Sequence, residues 1–296
     1  MRTTLLIIAV AGILSVLATD CASIEKIVNF GDSTSDTGNG AFVVSNGVIP
    51  STAYWNGRFS NGPTYIEIAA GLLNVSLSSY AVGGATTDNA KIQGYLGNSS
   101  STTAPHFKVA SVTDQVASYL IEGDESVDPS RILYTMWIGN NDGTFNDMYN
   151  LNVTGADAAD SLYDVWSTLA DSGAQRIVAF VPPLGTPFLT DYGVQMHKLA
   201  QQFNTERSPD ANVGLFETPG VLTNVLALPQ LYGFAHAFTD PCCTNNCYSG
   251  MPPKGTAQVC PKPDTFISYD EFFHPTAAFH KVIGASLVDF VNKWFS

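Results

Sequence analysis

The sequence predicts an α/β fold, a three-layer α/β/α sandwich around a central parallel sheet of about five strands. Short apolar runs alternate with longer amphipathic ones from residue 26 to the C-terminal stretch. That alternation implies right-handed crossovers between parallel strands. The run Arg131–Ile138 is almost wholly apolar, and Arg176–Val181 is its match. Neither alternates as a half-solvated strand would, so both read as buried on both faces. Three strands end in polar, Gly-rich turns, at Ser33, Gly84 and Asn141. In parallel sheets, sites form beyond the carboxyl ends of the strands.

Taken in order, residues 1–22 read as a secretory signal. Arg2 supplies the positive start, Leu5–Ala18 the apolar run, and cleavage is expected after Ala18 or Ala22. The run is shorter than the ~20 residues of a membrane-spanning helix. Residues 23–296 then read as a single domain, without internal repeat or linker. Lys26–Phe30 is the first strand. Gly38–Pro63 is a loop rich in Gly, Ser, Asn and aromatics, and Pro63 sits as the first residue of a helix over Thr64–Leu73. Leu77–Val82 is the second strand. Gly94–Pro105 is an exposed polar loop and Val109–Ile121 a helix. Arg131–Ile138 is the third strand, ending at Gly139-Asn140-Asn141-Asp142. Ala156–Ser172 is a helix closed by Gly173, Arg176–Val181 the fourth strand, Val194–Phe203 a helix and Val213–Phe216 the fifth strand. Residues 228–268 lack periodicity and read as a Cys-rich loop region. Thr276–Phe295 is the final helix, with Phe279, Val282, Ile283, Leu287, Phe290, Val291 and Trp294 in one stripe.

The balance of charge excludes some functions. With 13 basic against 26 acidic residues, the net charge of -13 argues against nucleic acid and anionic membrane surfaces. No stable membrane association is expected, and a monomer is. Of five cysteines, Cys242, Cys243, Cys247 and Cys260 cluster late, and Cys21 lies at the signal boundary. Four cysteines fit two disulfides in an oxidising compartment, with Cys242 and Cys243 too close to pair with each other. A zinc site is the weaker reading, because no histidine stands among them and the spacing is unusual for zinc. Asn74-Val75-Ser76, Asn98-Ser99-Ser100 and Asn152-Val153-Thr154 are N-glycosylation acceptor patterns, consistent with export.

The chemistry points to a serine at a strand end. In Phe30-Gly31-Asp32-Ser33-Thr34-Ser35-Asp36-Thr37-Gly38-Asn39 the serine is held where a buried strand meets a Gly-rich turn, which presents its hydroxyl. The Gly-x-Ser-x-Gly elbow of the α/β-hydrolases is absent. Alone, Ser33 is as well explained as a cap, and Gly83-Gly84 and Asn141 as turn residues.

Together the segments resemble the GDSL, or SGNH, hydrolase family. Gly31–Asn39 is similar to its nucleophile block, Tyr80-Ala81-Val82-Gly83-Gly84-Ala85-Thr86 to its glycine block, Gly139-Asn140-Asn141-Asp142 to its asparagine block and His274-Pro275-Thr276 to its histidine block. Arg58-Phe59-Ser60-Asn61-Gly62-Pro63 and Val181-Pro182-Pro183-Leu184-Gly185 match further recurrent segments. The order is right and spans nearly the whole mature chain.

The resemblance implies a flavodoxin-like sheet order and assigns roles. Ser33 is the implied nucleophile and His274 the base. The Ser33 and Gly84 backbone N–H groups and the Asn141 amide are the implied oxyanion donors, with Gly83 an open alternative to Gly84. No metal or organic cofactor is required. One departure stands out. The family carries Asp three residues before the histidine, and here that position is Glu271, with Asp270 one residue further back. The expectation is Glu271 in register, with Asp270 the alternative if a residue has been inserted. Tyr54, Trp55 and Phe59 either line a sugar or acyl site or pack the loop. The implied function is a secreted serine esterase acting on a small-molecule or polysaccharide ester, with short acyl or acetyl groups on carbohydrate favoured. A lipase or phospholipase, or a non-catalytic binding protein on this fold, are the alternatives.

Overall fold

The computed structural model describes residues 24–97, 106–123, 126–183, 185–245, 247–248 and 257–295. The expected signal peptide, with Cys21, and the Asn98 acceptor lie outside them. In chain order the elements are β1 (Lys26–Gly31), α1 (Ala41–Val44), α2 (Tyr65–Leu73), β2 (Ser76–Ser79), β3 (Tyr95–Gly97), β4 (His106–Lys108), α3 (Val112–Glu122), β5 (Ile132–Trp137), α4 (Asn140–Tyr149), α5 (Gly155–Asp171), β6 (Arg176–Val181), α6 (Pro187–Arg207), β7 (Asn212–Glu217), α7 (Thr218–Ala227), β8 (Cys243–Thr244), β9 (Gln258–Val259) and α8 (Ala277–Trp294).

The central sheet has five parallel strands in the order β2-β1-β5-β6-β7. Side chains alternate between two cores. Val28, Tyr134, Met136, Ile177 and Ala179 face the layer of α3, α5 and α6. Ile27, Leu133, Trp137, Val178 and Phe180 face the layer of α2, α7 and α8. Both faces are therefore dry, which is why these strands read as continuous apolar runs. The polar exceptions satisfy one another: Thr135 Oγ1 donates to Asn29 Oδ1 at 3.0 Å, and Asn29 Nδ2 donates to Ser79 Oγ at 2.9 Å. This tie binds β2, β1 and β5 directly beneath the nucleophile turn.

Boundaries differ from the sequence reading for local reasons. Thr64, not Pro63, caps α2, and its N–H donates to Glu67 Oε2 at 2.9 Å. The second strand is shorter than expected, although Tyr80 and Val82 still donate to Asn29 O and Gly31 O at 2.8 and 3.0 Å. Asn140 opens a helix that its polar composition had concealed as a turn. Thr218–Ala227 is likewise helical, with Pro219 in its first turn.

The Cys-rich region carries two disulfides, Cys242–Cys260 and Cys243–Cys247. It braces the segment that leads to His274. Cys242 N–H donates to Ser268 O at 3.1 Å and Cys243 N–H to Tyr269 O at 2.6 Å. Replacing Cys242 and Cys260 by Ala opens a bridge of separation 18. The expected loss is about 3 kcal/mol from the unfolded-state entropy of such a loop, read as a lower Tm. Activity falls before global unfolding, because Ser268–Tyr269 loses its brace.

Candidate active site

β1 and β5 are neighbours, and the chain leaves them towards opposite edges of the sheet, which opens a crevice beyond their carboxyl ends. Ser33 lies two residues past β1, and Asn141 lies in the first turn of α4, just past β5. Residues 80–86 run over the same edge after β2. His274 arrives from the far end of the chain, immediately before Thr276 caps α8 by accepting from Phe279 N–H at 3.2 Å.

The three side chains meet. His274 Nε2 stands 2.7 Å from Ser33 Oγ, and His274 Nδ1 stands 2.6 Å from Asp270 Oδ2. A carboxylate at Nδ1 fixes the proton there and leaves Nε2 as the acceptor for the serine hydroxyl. Burial alone would lower the His274 pKa, but the charge and hydrogen bond of Asp270, with help from Asp32, raise it above its ordinary value. Burial would raise Asp270. The His274 charge and the hydrogen bonds from His274 and Tyr54 outweigh that and hold its carboxyl below the usual range. Asp32 sits beside the serine, and burial pushes it up to about 6 against the N–H of Thr34.

The carboxylate behind His274 is thus Asp270, which corrects the in-register expectation of Glu271. Glu271 is exposed on the cleft rim, and among the described residues no hydrogen bond joins it to His274. The physical reason is a tight turn. Asp270 Oδ1 accepts from Phe272 N–H at 3.0 Å and His274 N–H at 3.1 Å, and Asp270 O accepts from Phe273 N–H at 3.0 Å. Phe273 takes a left-handed φ of 62°. That conformation absorbs the extra residue and turns Asp270, rather than Glu271, towards the imidazole.

The two glycines of the doublet Gly83-Gly84 differ in what their N–H groups meet. Gly83 N–H donates to Asp36 Oδ2 at 2.9 Å, so it is spent. Gly84 lines the cleft, and its N–H has no acceptor among the described residues. Its φ is 79°, and a Cβ there would lie 2.2 Å from Tyr95 O, so only glycine fits. Asn141 Nδ2 donates to Ala85 O at 2.8 Å, which ties α4 to the glycine turn and leaves its second N–H for the cleft.

Several supporting residues escaped the sequence reading. Buried Asp36 accepts from the N–H groups of Gly38, Gly40, Ala41 and Gly83, and so joins the nucleophile turn to the glycine turn. Gln115 of α3 brackets Gly31, accepting from its N–H at 2.9 Å and donating to its O at 3.0 Å. Tyr54 and Phe59 are buried, and neither lines the cleft. The Tyr54 hydroxyl donates to Asp270 Oδ2, and Phe59 packs at 5.2 Å from the His274 ring. His280 is also buried, accepting from Tyr65 N–H at 3.0 Å; burial holds its pKa at about 3, so it stays neutral. His106, His197 and His236 take no part in this cluster.

The sequence profile of GDSL-like lipases and acylhydrolases matches residues 27–287. The chain belongs to the GDSL-like lipase/acylhydrolase family. Among relatives of this GDSL chain, the thermolabile hemolysin of Vibrio parahaemolyticus is 28% identical over 292 residues, covering 91% of this chain and 64% of that protein. The phosphatidylcholine-sterol acyltransferase of Aeromonas hydrophila is 26% identical, covering 76% of this chain and 66% of its own length. The chain thus spans just under two thirds of both. An acetylesterase of Hypocrea jecorina is 26% identical over 52% of the chain and 47% of that protein. A carbohydrate esterase of solved structure superposes with a TM-score of 0.51 at 12% identity, over 92% of this chain and 65% of that one, a likeness of fold.

Proposed function

We propose that this protein is a serine carboxylic ester hydrolase working through an acyl-enzyme. The observation that carries the reading is the continuous chain from Ser33 Oγ through His274 to Asp270, at 2.7 and 2.6 Å, beside the backbone N–H groups of Ser33 and Gly84, which have no acceptor among the described residues. Ser33 Oγ attacks the ester carbonyl while His274 Nε2 takes its proton. The Ser33 and Gly84 N–H groups and the Asn141 amide hold the oxyanion. His274 returns the proton to the leaving alkoxide, then activates the water that cleaves the acyl-serine.

The cleft beside Ser33 encloses about 790 Å³ and has aromatic and aliphatic walls, among them Trp137, Phe145, Leu189, Leu222, Phe238 and Phe279. That space exceeds what an acetyl group fills. We therefore read the acyl group as a chain of several carbons, in preference to the acetyl ester on carbohydrate. Each methylene taken out of water contributes about 0.8 kcal/mol, roughly fourfold in kcat/KM. The p-nitrophenyl esters test this: kcat/KM rises roughly fourfold per added methylene, about 15-fold from acetate to butyrate. Preference for acetate, with deacetylation of oligosaccharides, reverses the assignment. Failure of a fluorophosphonate probe to label Ser33 in folded protein rejects the enzyme reading in favour of a binding protein.

We place the protein outside the cell. The two disulfides support this, as does the exposure of the acceptors Asn74 and Asn152. Among the described residues no helix is long and apolar enough to cross a membrane.

A further inference from the structure

We propose that Tyr54 is a positioning residue of the catalytic machinery: its hydroxyl holds the Asp270 carboxylate in the orientation that keeps His274 aimed at Ser33. The inference rests on the serine-hydrolase reading of the site. Tyr54 touches no reacting atom. It is 6% exposed and lies behind Asp270, on the side away from the cleft.

Four donors converge on Asp270. Oδ1 is held by the backbone N–H groups of Phe272 and His274 at 3.0 and 3.1 Å. Oδ2 takes His274 Nδ1–H and the Tyr54 hydroxyl. The backbone donors belong to the same short turn as Asp270 and move with it. Tyr54 comes from a different part of the chain, 216 residues away, and provides the fixed external reference. Burial, then the charge of Asp270, raises the phenol pKa, so it remains a donor.

The loop that carries Tyr54 is itself clamped to the histidine segment. The Tyr269 hydroxyl donates to Ala53 O. Ser60 Oγ donates to Pro275 O at 2.9 Å, and Ala277 N–H donates to Asn61 Oδ1 at 2.8 Å. Ser51 Oγ donates to Cys247 O at 2.6 Å, inside the Cys243–Cys247 disulfide loop. The Tyr54 and Tyr269 rings pack edge to face at 5.2 Å. This fixes the phenol where the carboxylate must be.

The other titratable groups facing the pair are Asp32, Tyr248, Tyr269 and His280, with Glu271 adjacent on the rim. Among the described residues none of these hydrogen-bonds the carboxylate, whereas Tyr54 does. Removing its hydroxyl leaves Oδ2 with His274 as its one donor. The carboxylate then stabilises the imidazolium more strongly, and the His274 pKa rises. The acid limb of kcat/KM follows to higher pH.

The test is Tyr54→Phe in the full chain, assayed across the acid limb with a p-nitrophenyl ester beside Ser33→Ala and Tyr269→Phe. Tyr54→Phe is expected to lower kcat about tenfold at unchanged KM and to displace the limb upward. Tyr269→Phe removes the hydroxyl that clamps Ala53 of the Tyr54 loop without bonding Asp270, and is expected to displace the limb by less than Tyr54→Phe does. A ring-fluorinated tyrosine at position 54, a stronger donor of the same shape, shifts the limb the other way and serves if the Phe variant folds poorly. Wild-type kcat and limb in Tyr54→Phe, or an equal displacement in Tyr269→Phe, overturn the positioning role while Ser33-dependent activity persists. Retained activity in Ser33→Ala would instead remove the triad itself, and this proposal with it.

Discussion

Replacing Asp270 by Asn lowers kcat by about 10⁴-fold, whereas Glu271→Gln stays within about twofold of wild type. The asymmetry follows from what each carboxylate touches. Asp270 Oδ2 accepts from His274 Nδ1 at 2.6 Å in a buried site. An Asn amide presented there either faces an N–H with its own N–H or forces the proton to Nε2, where it meets the serine hydroxyl. The first repels the imidazole from its position, and the second removes the acceptor for the Ser33 proton. Glu271 is exposed and bonds nothing at the imidazole, so its amide changes only the charge of the rim. The pH profile gives a second, independent check. His274 must be neutral to accept a proton, and Asp270 raises its pKa above 6.5. Activity of wild type therefore falls as pH drops through a value above 6.5. In Asp270→Asn the charge that raised the pKa is gone and burial dominates, so the residual activity holds to lower pH. Equal losses in both variants, or a larger one in Glu271→Gln, would restore the in-register carboxylate.

The boundary between what the sequence discloses and what it conceals runs through that same turn. Ser33, Gly84, Asn141 and His274 stand in short contiguous motifs at strand and helix ends, where backbone geometry and residue type are coupled. They were legible for that reason. Asp270 and Glu271 are adjacent in the chain, and only the left-handed φ of Phe273 decides which faces the histidine. A bulky residue in that conformation carries no sequence signal. Asp36 and Gln115 were hidden differently. Their bonds go to backbone atoms of Gly83 and Gly31, which any carboxylate or amide at the right place serves. α4 carries no helical signal because Asn140–Tyr149 is polar and starts inside the motif; its anchor is Asn141 on Ala85 O, a contact across 56 residues. In the sequence Tyr54 is one aromatic among several in a loop. Its role depends on a partner 216 residues downstream, and no periodicity reaches that far.

Asn141→Ala is expected to lower kcat by about 10²–10³-fold with KM little changed, the effect of removing one oxyanion donor. The structure puts the loss at the upper end of that range. One N–H of the Asn141 amide is committed to Ala85 O at 2.8 Å, so the side chain serves two tasks at once. It points its second N–H at the developing charge, and it fixes the turn that aims Gly84 N–H at the same place. Deleting it removes the tie to α4 and leaves the turn to Asp36 on Gly83 N–H at 2.9 Å, Gly31 O on Val82 N–H at 3.0 Å and Asp142 on Thr87 N–H at 3.0 Å. Gly84→Ala damages the other donor by a different route. Its Cβ collides with Tyr95 O at 2.2 Å, and the φ of 79° is strained for alanine, so the whole turn shifts. The two substitutions strike one device, and their losses do not add. The double variant is expected to be little worse than the poorer single one. Additive losses would mean that Asn141 and Gly84 act on separate steps, and a rise in KM with kcat preserved would place Asn141 in ground-state binding instead. Ser33 remains reactive towards a fluorophosphonate in each variant, more slowly, because the 2.7 Å contact with His274 does not pass through either residue.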